Sequence, residues 1–376
     1  MMTMRAPQDG HAGGAERQCW LLAQGLAVRG HRVLLVSTRT SGTGQEQRVV
    51  DGIETTALMA PLEDPEARAR ELDAVLTNHE TDVCYVRDFY WFADAIAACE
   101  RARVASAVNY YSLPQCGGST LPILLHGLRQ LSPRSLARWL RDDRMTSHVN
   151  RKSAARASAR IAQTDEQKTA LQRHFGLEAT VIPSMQPPSS TVGVRCPTAQ
   201  ELLWVGKPFK RPSAFLDIAD SWLSSRPCVN FVLACRVDIC SRRDKALVTR
   251  VERMKNVRLV INASADEIQH MFATASVYVN TSLAEGFPNT FLEAWAAGTP
   301  VVSLSVDPDQ VLDRQGIGIA CGGSTRRLEA ELGRLVDNRP LRDRMGAAAQ
   351  AYVAHAHNPE TTVSRYEELF FRIGAR

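Results

Sequence analysis

The sequence predicts an α/β protein of two Rossmann-like, doubly wound parallel-sheet domains, the first over 1–185 and the second over 198–357. Three observations predict it. Short apolar runs alternate with segments of helical periodicity along most of the chain, the pattern of parallel strands covered by helices on both faces. The alternation stops in a Pro-, Ser- and Thr-rich stretch between Pro183 and Pro197 and then restarts, which marks a linker. The chain has 376 residues, more than one hydrophobic core usually organises.

In chain order, Cys19–Val28 carries apolar residues at Cys19, Leu22, Ala23, Leu26 and Ala27, one face of a helix, and Gly30 suits its end. Arg32–Ser37 is a short apolar run and reads as a buried strand. Strands are then expected at Asp82–Arg87, Ala105–Tyr110, Ser158–Thr164 and Ala179–Pro183, with helices at Trp91–Arg101 and Glu166–Phe175. Beyond the linker, strands are expected at Glu201–Val205, Val229–Ala234, Val257–Ile261, Val277–Thr281 and Pro300–Leu304. Helices are expected at Ser213–Leu223, Asp266–Ala273, Phe291–Ala297 and Thr325–Asp337. A last amphipathic helix, Glu360–Ile373, follows the final strand at a distance that lets the tail 358–376 pack back on the first domain.

Composition narrows the function. At 44% hydrophobic and 23% charged, the chain can bury a normal core and does not read as disordered. A net charge of +5 suits anionic ligands or a membrane surface, but no dense basic stripe with interleaved aromatics points to nucleic acid. The nine cysteines are scattered, odd in number and without a CxxC pair, as in a reduced, cytoplasmic protein. No apolar run reaches the ~18 residues of a membrane span, and Met1–Gly14 lacks a signal-peptide core. His11, His126 and His148 have no ligand spacing, so no metal site is expected. Trp20, Trp91 and Trp222 read as core.

The strongest motif is Glu285-Gly-Phe-Pro-Asn-Thr-Phe-Leu-Glu293. It follows a buried strand and opens a helix, whose free N–H groups and positive dipole end favour a phosphate. Gly286 allows close backbone approach, and Pro288 keeps the loop from becoming another helical turn. Glu285 stands before the helix as an acceptor for sugar hydroxyls, and Glu293 lies one turn inside, placed for ribose hydroxyls. The plain structural alternative is a helix start with Asn289 as N-cap and Glu293 as a dipole partner. In Trp204-Val-Gly-Lys-Pro-Phe-Lys-Arg-Pro212, Gly206 ends a strand, and Lys207, Lys210 and Arg211 put three cations on the strand-to-helix loop. Such a loop suits a diphosphate leaving group or is simply a solvated basic turn. Gly13 and Gly14, before the first helix, shape a turn that could face acceptor or phosphate. They do not complete a dinucleotide fingerprint.

Together these segments resemble glycosyltransferase family 4, whose members have the GT-B architecture. The resemblance is most specific from Trp204 to Pro308, good over Gly13–Thr38 and Ala159–Pro183, and poor over Leu113–Met145. It implies that Glu285 contacts the donor sugar, Glu293 the ribose, and the backbone of Phe287, Pro288, Asn289 and Thr290 the sugar and diphosphate. It also implies that the family's diphosphate-holding Arg and Lys fall on Lys207 and Lys210, or on Arg211 if the short loop shifts register. The implied activity is retaining, metal-independent hexosyl transfer in the cleft between domains, with a nucleoside diphosphate sugar as co-substrate and no other cofactor. The acceptor is a glycan, a lipid-linked or a small molecule, in bacterial polysaccharide or glycoconjugate synthesis. Three positions depart from the family pattern. Met1–Ala6 supplies at most a stub of the first strand, Val108–Ser112 lacks the usual histidine, and Ser184 replaces an asparagine.

From Gly127 to Arg160, nine basic residues face Asp142 and Asp143, with Leu128, Leu131, Leu136, Trp139 and Leu140 at roughly helical spacing. This reads first as a solvated helix face and second as a peripheral contact with the inner membrane face. The competing functions are a nucleotide-sugar epimerase or hydrolase on the same fold, and a nucleotide-sugar-binding protein without turnover.

Overall fold

The structure, a computed structural model, describes residues 1–3, 13–37, 48–60, 64–87, 91–117, 151–189, 200–238 and 241–375. The chain divides into two compact units, one of Met1–Met185 with Pro359–Arg376 and one of Gln186–Asn358.

In the first unit the chain runs β1 (Met2–Thr3), α1 (Gly14–Val28), β2 (Leu34–Ser37), β3 (Arg48–Val50), β4 (Ile53–Ala57), α2 (Pro65–Asn78), β5 (Val83–Val86), α3 (Phe92–Ala102), β6 (Ala105–Asn109), β7 (Ala159–Ala162), α4 (Asp165–Phe175) and β8 (Thr180–Val181). The strands form one sheet in the order β3-β4-β2-β1-β5-β6-β7-β8, parallel except for the antiparallel β3–β4 hairpin. The expected first-strand stub is real. Only two residues long, β1 lies centrally, pairing Met2 with Val36 on one side and Val86 on the other.

The second unit runs β9 (Glu201–Gly206), α5 (Pro212–Ser225), β10 (Asn230–Cys235), α6 (Arg242–Val251), β11 (Val257–Ile261), α7 (Ala265–Thr274), β12 (Val277–Asn280), α8 (Asn289–Ala296), β13 (Val301–Ser303), α9 (Val311–Arg314), β14 (Gly318–Ala320), α10 (Thr325–Asp337) and α11 (Arg339–Ala356). Its sheet is wholly parallel, in the order β11-β10-β9-β12-β13-β14. Side chains alternate across a strand, so each sheet feeds two cores. Leu202 and Trp204 of β9 join Phe231, Leu233, Val277 and Val279 on one face, while Leu203, Val232, Ala234 and Tyr278 face the other. In the first unit Met2, Val36, Cys84, Val86 and Val108 share one face, and Leu35, Tyr85, Ala107 and Ile161 the other.

The last helix, α12 (Pro359–Gly374), packs on α1. Val363 lies over Gly25, where any Cβ would collide with it, and Arg29 and His31 each bind Glu367 at 2.7 Å. The stretch expected as a loose linker is packed at its start. Ser184, Met185 and Gln186 are buried, because the Gln18 amide donates to the Met185 carbonyl and accepts from its N–H, both at 2.8 Å. Residues 190–197 of that stretch lie outside the described residues.

Candidate functional site

In an open parallel sheet, ligands bind beyond the C-terminal ends of strands where the strand order reverses. In the second unit that point lies between β9 and β12, since the chain moves from β9 outward to β10 and β11 and then returns to β12 on the opposite side. Both sequence motifs leave the sheet there.

β9 ends at Gly206, where a Cβ would meet Trp204 Cη2 at 2.9 Å and Lys210 Cδ at 3.1 Å. A side chain at this position would therefore push the lysine stem aside. Pro208–Lys210 then forms a single 3-10 turn, with exposed Lys207 before it. Arg211 follows in the left-handed region, at φ 60 and ψ 55, an uncommon conformation for a residue with a Cβ. Its Nε is buried without a hydrogen-bond partner.

From β12 the chain runs through Thr281 and Ser282 to Glu285. Lys210 Nζ donates to both carboxylate oxygens of Glu285 at 2.9 Å. Ser282 Oγ donates to Glu285 Oε1 at 2.6 Å, and Asn280 Nδ2 lies 3.4 Å from the same oxygen. The pair is partly buried, with the lysine and glutamate side chains 22% and 15% exposed. Burial alone would push the Glu285 carboxyl up. Lys210, Ser282 and Asn280 outweigh it and hold the group below its ordinary value. Glu285 is therefore an ionised acceptor fixed by three donors.

A second tie holds the two loops together. Trp204 Nε1 donates to Thr281 Oγ1 at 2.8 Å, and that hydroxyl is shared between the carbonyls of Lys210 and Arg211 at 2.9 and 2.7 Å. Tyr278 OH donates to Thr290 Oγ1 at 2.9 Å, linking the middle of β12 to the first turn of α8.

The helix start differs from the plain structural expectation. Asn289 is the first helical residue rather than the N-cap. Pro288 occupies the cap position, and no side chain caps the helix. Proline has no side-chain acceptor, so no cap side chain stands between this positive helix end and an anion. Gly286 lies outside the left-handed region, so backbone strain does not account for a glycine there. Phe287 is buried against Trp295 and His357, at ring distances of 6.1 and 4.7 Å, and can offer a ligand only its backbone. Glu293 lies one turn into α8.

Gly13 and Gly14 sit where expected, at the N-terminus of α1, but Glu16 folds back to accept from the Gly13 N–H at 2.9 Å. A carboxylate thus already serves part of that helix end. Residues that sequence reasoning missed are Trp204, Tyr278, Asn280, Thr281 and Ser282. The signal for the last four is the switch from apolar to polar in Val277-Tyr-Val-Asn-Thr-Ser282, at the C-terminal end of a buried strand.

Among the described residues, no group of three or more His, Cys, Asp or Glu could hold a metal ion, and no helix is long and apolar enough to cross a membrane. Most of the basic stretch 127–160, with His126 and His148, lies outside the described residues, as does His11. Its described end is engaged internally. Arg160 donates to the carbonyls of Glu178 and Ala157, and Arg156 pairs with Glu100 at 3.3 Å. Seven cysteines are described as free thiols and all but Cys228 are buried.

Two protein-family models match the sequence, "Glycosyltransferase Family 4" over residues 12–185 and "Glycosyl transferases group 1" over residues 199–338. A D-inositol 3-phosphate glycosyltransferase of Streptomyces griseus subsp. griseus is 35% identical over 107 residues, which are 28% of this chain and 22% of that protein. The match thus spans about a fifth of the relative's length. Among solved structures, a sucrose-phosphate synthase of Thermosynechococcus elongatus superposes with a TM-score of 0.78 at 15% identity, covering 100% of this chain and 98% of that one. Anabaena HepE in complex with UDP-glucose superposes with a TM-score of 0.72 at 18% identity, covering 99% and 98%. At such identities these structures speak to the fold.

Proposed function

The chain belongs to glycosyltransferase family 4, and we propose that it moves a hexosyl unit from a nucleoside diphosphate sugar to an acceptor hydroxyl with retention at the anomeric carbon. The observation that carries the reading is the Lys210–Glu285 pair at the strand-order reversal of the second unit, beside the uncapped start of α8. Glu285, ionised and fixed, accepts from sugar hydroxyls and orients the anomeric carbon. Lys210, with Lys207 and Arg211, faces the diphosphate together with the N–H groups of α8, while Glu293 takes the ribose. As the bond from the anomeric carbon to the diphosphate oxygen breaks, the electron pair stays on the diphosphate. These cations and dipoles stabilise that charge without reorganising. The acceptor oxygen bonds to the same face, and its proton passes to the leaving diphosphate.

No metal is needed in this scheme, since positioning and leaving-group stabilisation supply the rate. Both family models are of glycosyltransferases, which favours transfer over an epimerase or hydrolase. The acceptor is a glycan or a lipid-linked or small hydroxyl compound in polysaccharide or glycoconjugate assembly. The test is to incubate the protein with UDP-, GDP- and ADP-hexoses and a pool of polyol acceptors. Acceptor-dependent release of nucleoside diphosphate, with product whose anomeric configuration matches the donor, is expected. Release that is indifferent to acceptor would make the chain a hydrolase, and inverted product would overturn retention.

A further inference from the structure

The first unit carries a second strand-order reversal, between β1 and β5, and an unusual group stands at it. Arg87 is the residue directly after β5. Its N–H bonds the Met2 carbonyl of β1 at 3.1 Å, and it is 4% exposed. By strand alternation its side chain falls on the face of Leu35, Tyr85, Ala107 and Ile161. On that face the strands end in a row of buried polar residues, Ser37, Arg87, Asn109 and Gln163, at 4%, 4%, 0% and 5% exposure. The ends of the row are satisfied within the fold. Ser37 Oγ donates to the Thr56 carbonyl at 3.3 Å, and Gln163 Nε2 to Ser184 Oγ at 2.6 Å.

The middle of the row is not satisfied. Arg87 Nη1 reaches Tyr85 OH at 3.4 Å, Tyr85 OH meets Tyr366 OH at 3.4 Å, and Asn109 Nδ2 donates to Tyr366 OH at 3.0 Å. This chain has two open ends, Arg87 Nε as a donor and Asn109 Oδ1 as an acceptor, both buried without a partner. Among the described residues no carboxylate pairs with Arg87. A buried guanidinium without a counter-charge is costly, and an apolar side chain of similar size would usually be better tolerated. Its place at a strand-order reversal is where a ligand belongs.

We propose that Arg87 and Asn109 recognise an acceptor bearing both an anionic oxygen and hydroxyl groups, the anion taken by Arg87 and a hydroxyl donated to Asn109 Oδ1. Phosphate and carboxylate share the required chemistry, on a soluble sugar acid or on a lipid headgroup. The proposal rests on the glycosyltransferase reading above. It adds that the acceptor, which the family resemblance already places in the first unit, is a hydroxylated anion.

The test uses the full chain saturated with UDP or GDP, so that the second unit's diphosphate site is filled. Glucose 6-phosphate, glucuronate and glucose are titrated by calorimetry, and vesicles of phosphatidylcholine with and without phosphatidylinositol by co-sedimentation. At least one anionic probe should bind while glucose does not, and Arg87→Met should weaken that binding about ten- to a hundredfold. Arg87→Lys, which keeps the charge but not the fork, should recover part of it. Arg87→Met should also keep or raise the thermal midpoint, as expected when an unpaired buried charge is replaced by an apolar isostere. A lowered midpoint with probe binding unchanged would make Arg87 a structural residue and overturn the proposal, as would equal binding of glucose. Lys210→Ala separates the two readings, because it should weaken the nucleotide and leave the anionic probe alone. Failure of UDP and GDP to bind the parent protein counts against the donor site, not against Arg87.

Discussion

At the residue scale one ion pair holds the candidate site together. Lys210 and Glu285 stand 75 residues apart in the chain and meet at 2.9 Å. The sequence assigned the two groups separate partners, diphosphate and sugar, and could not show that they hold each other. Lys210→Ala should weaken nucleoside diphosphate binding about ten- to a hundredfold, the loss of one charge-assisted hydrogen bond of about 1.5–3 kcal/mol. Equal binding by this variant, with a deficit in Arg211→Ala instead, would move the role to the left-handed Arg211 and its unpaired Nε. The pair also sets a pH dependence. The Glu285 carboxyl sits below its ordinary value of 4.5, so the unfolded state takes up its proton first as pH falls. The stability that ionised Glu285 contributes is therefore fully present above that value and is lost as pH drops through the lower, folded-state value. Thermal midpoints of the parent protein and Glu285→Gln, followed from neutral pH into acid, should converge. A gap that is constant across this range would show that the carboxylate contributes nothing through its charge.

At the element scale the site is the meeting of two strand ends, joined through Thr281. Its hydroxyl accepts from the Trp204 indole and donates toward the carbonyls that follow the 3-10 turn. Thr281→Val keeps the shape but leaves a buried indole N–H and a carbonyl unpaired, a cost of about 1–3 kcal/mol. Thr281→Ser should be close to neutral. Chemical denaturation of both variants checks this, and equal stability would show that the tie is dispensable. The strands that carry the site were legible because they are continuous apolar runs, such as Leu202–Val205 and Val277–Val279. The elements that escaped notice lack that signal. β4, Ile-Glu-Thr-Thr-Ala, buries only Ile53 and Thr55 and lies next to the edge hairpin strand. α2 shows a thin stripe of Leu72 and Leu76 among charges. β14 has three residues, and the buried stripe of α11 is Met345, Ala349 and Val353 in an alanine-rich segment. The row of Arg87 and Asn109 was also hidden, because an arginine at a strand end reads as solvent-facing until tertiary packing buries it.

At the scale of the whole molecule, the chain builds two α/β units of the GT-B type, each with a core on either face of its sheet. The final helix belongs to the first unit, where Val363, Tyr366, Leu369 and Ile373 are buried. Deleting residues 359–376 should therefore destabilise the first unit and expose the α1 face, while nucleoside diphosphate binding by the second unit persists. Differential hydrogen exchange with and without UDP would show both effects, and protection lost equally from β9–β14 would contradict the division. That Glu285 orients the donor sugar from a pre-fixed, ionised state is checked with Glu285→Gln. The measurement is free nucleoside diphosphate affinity and sugar transfer on one preparation of that variant. With its anionic partner gone, Lys210 is released to the diphosphate, so affinity should be unchanged or tighter. Transfer should collapse, because the lost contact acts mainly in the transition state. Transfer at the parent rate, with nucleotide affinity unchanged, would reduce Glu285 to a residue that merely anchors the entry to α8.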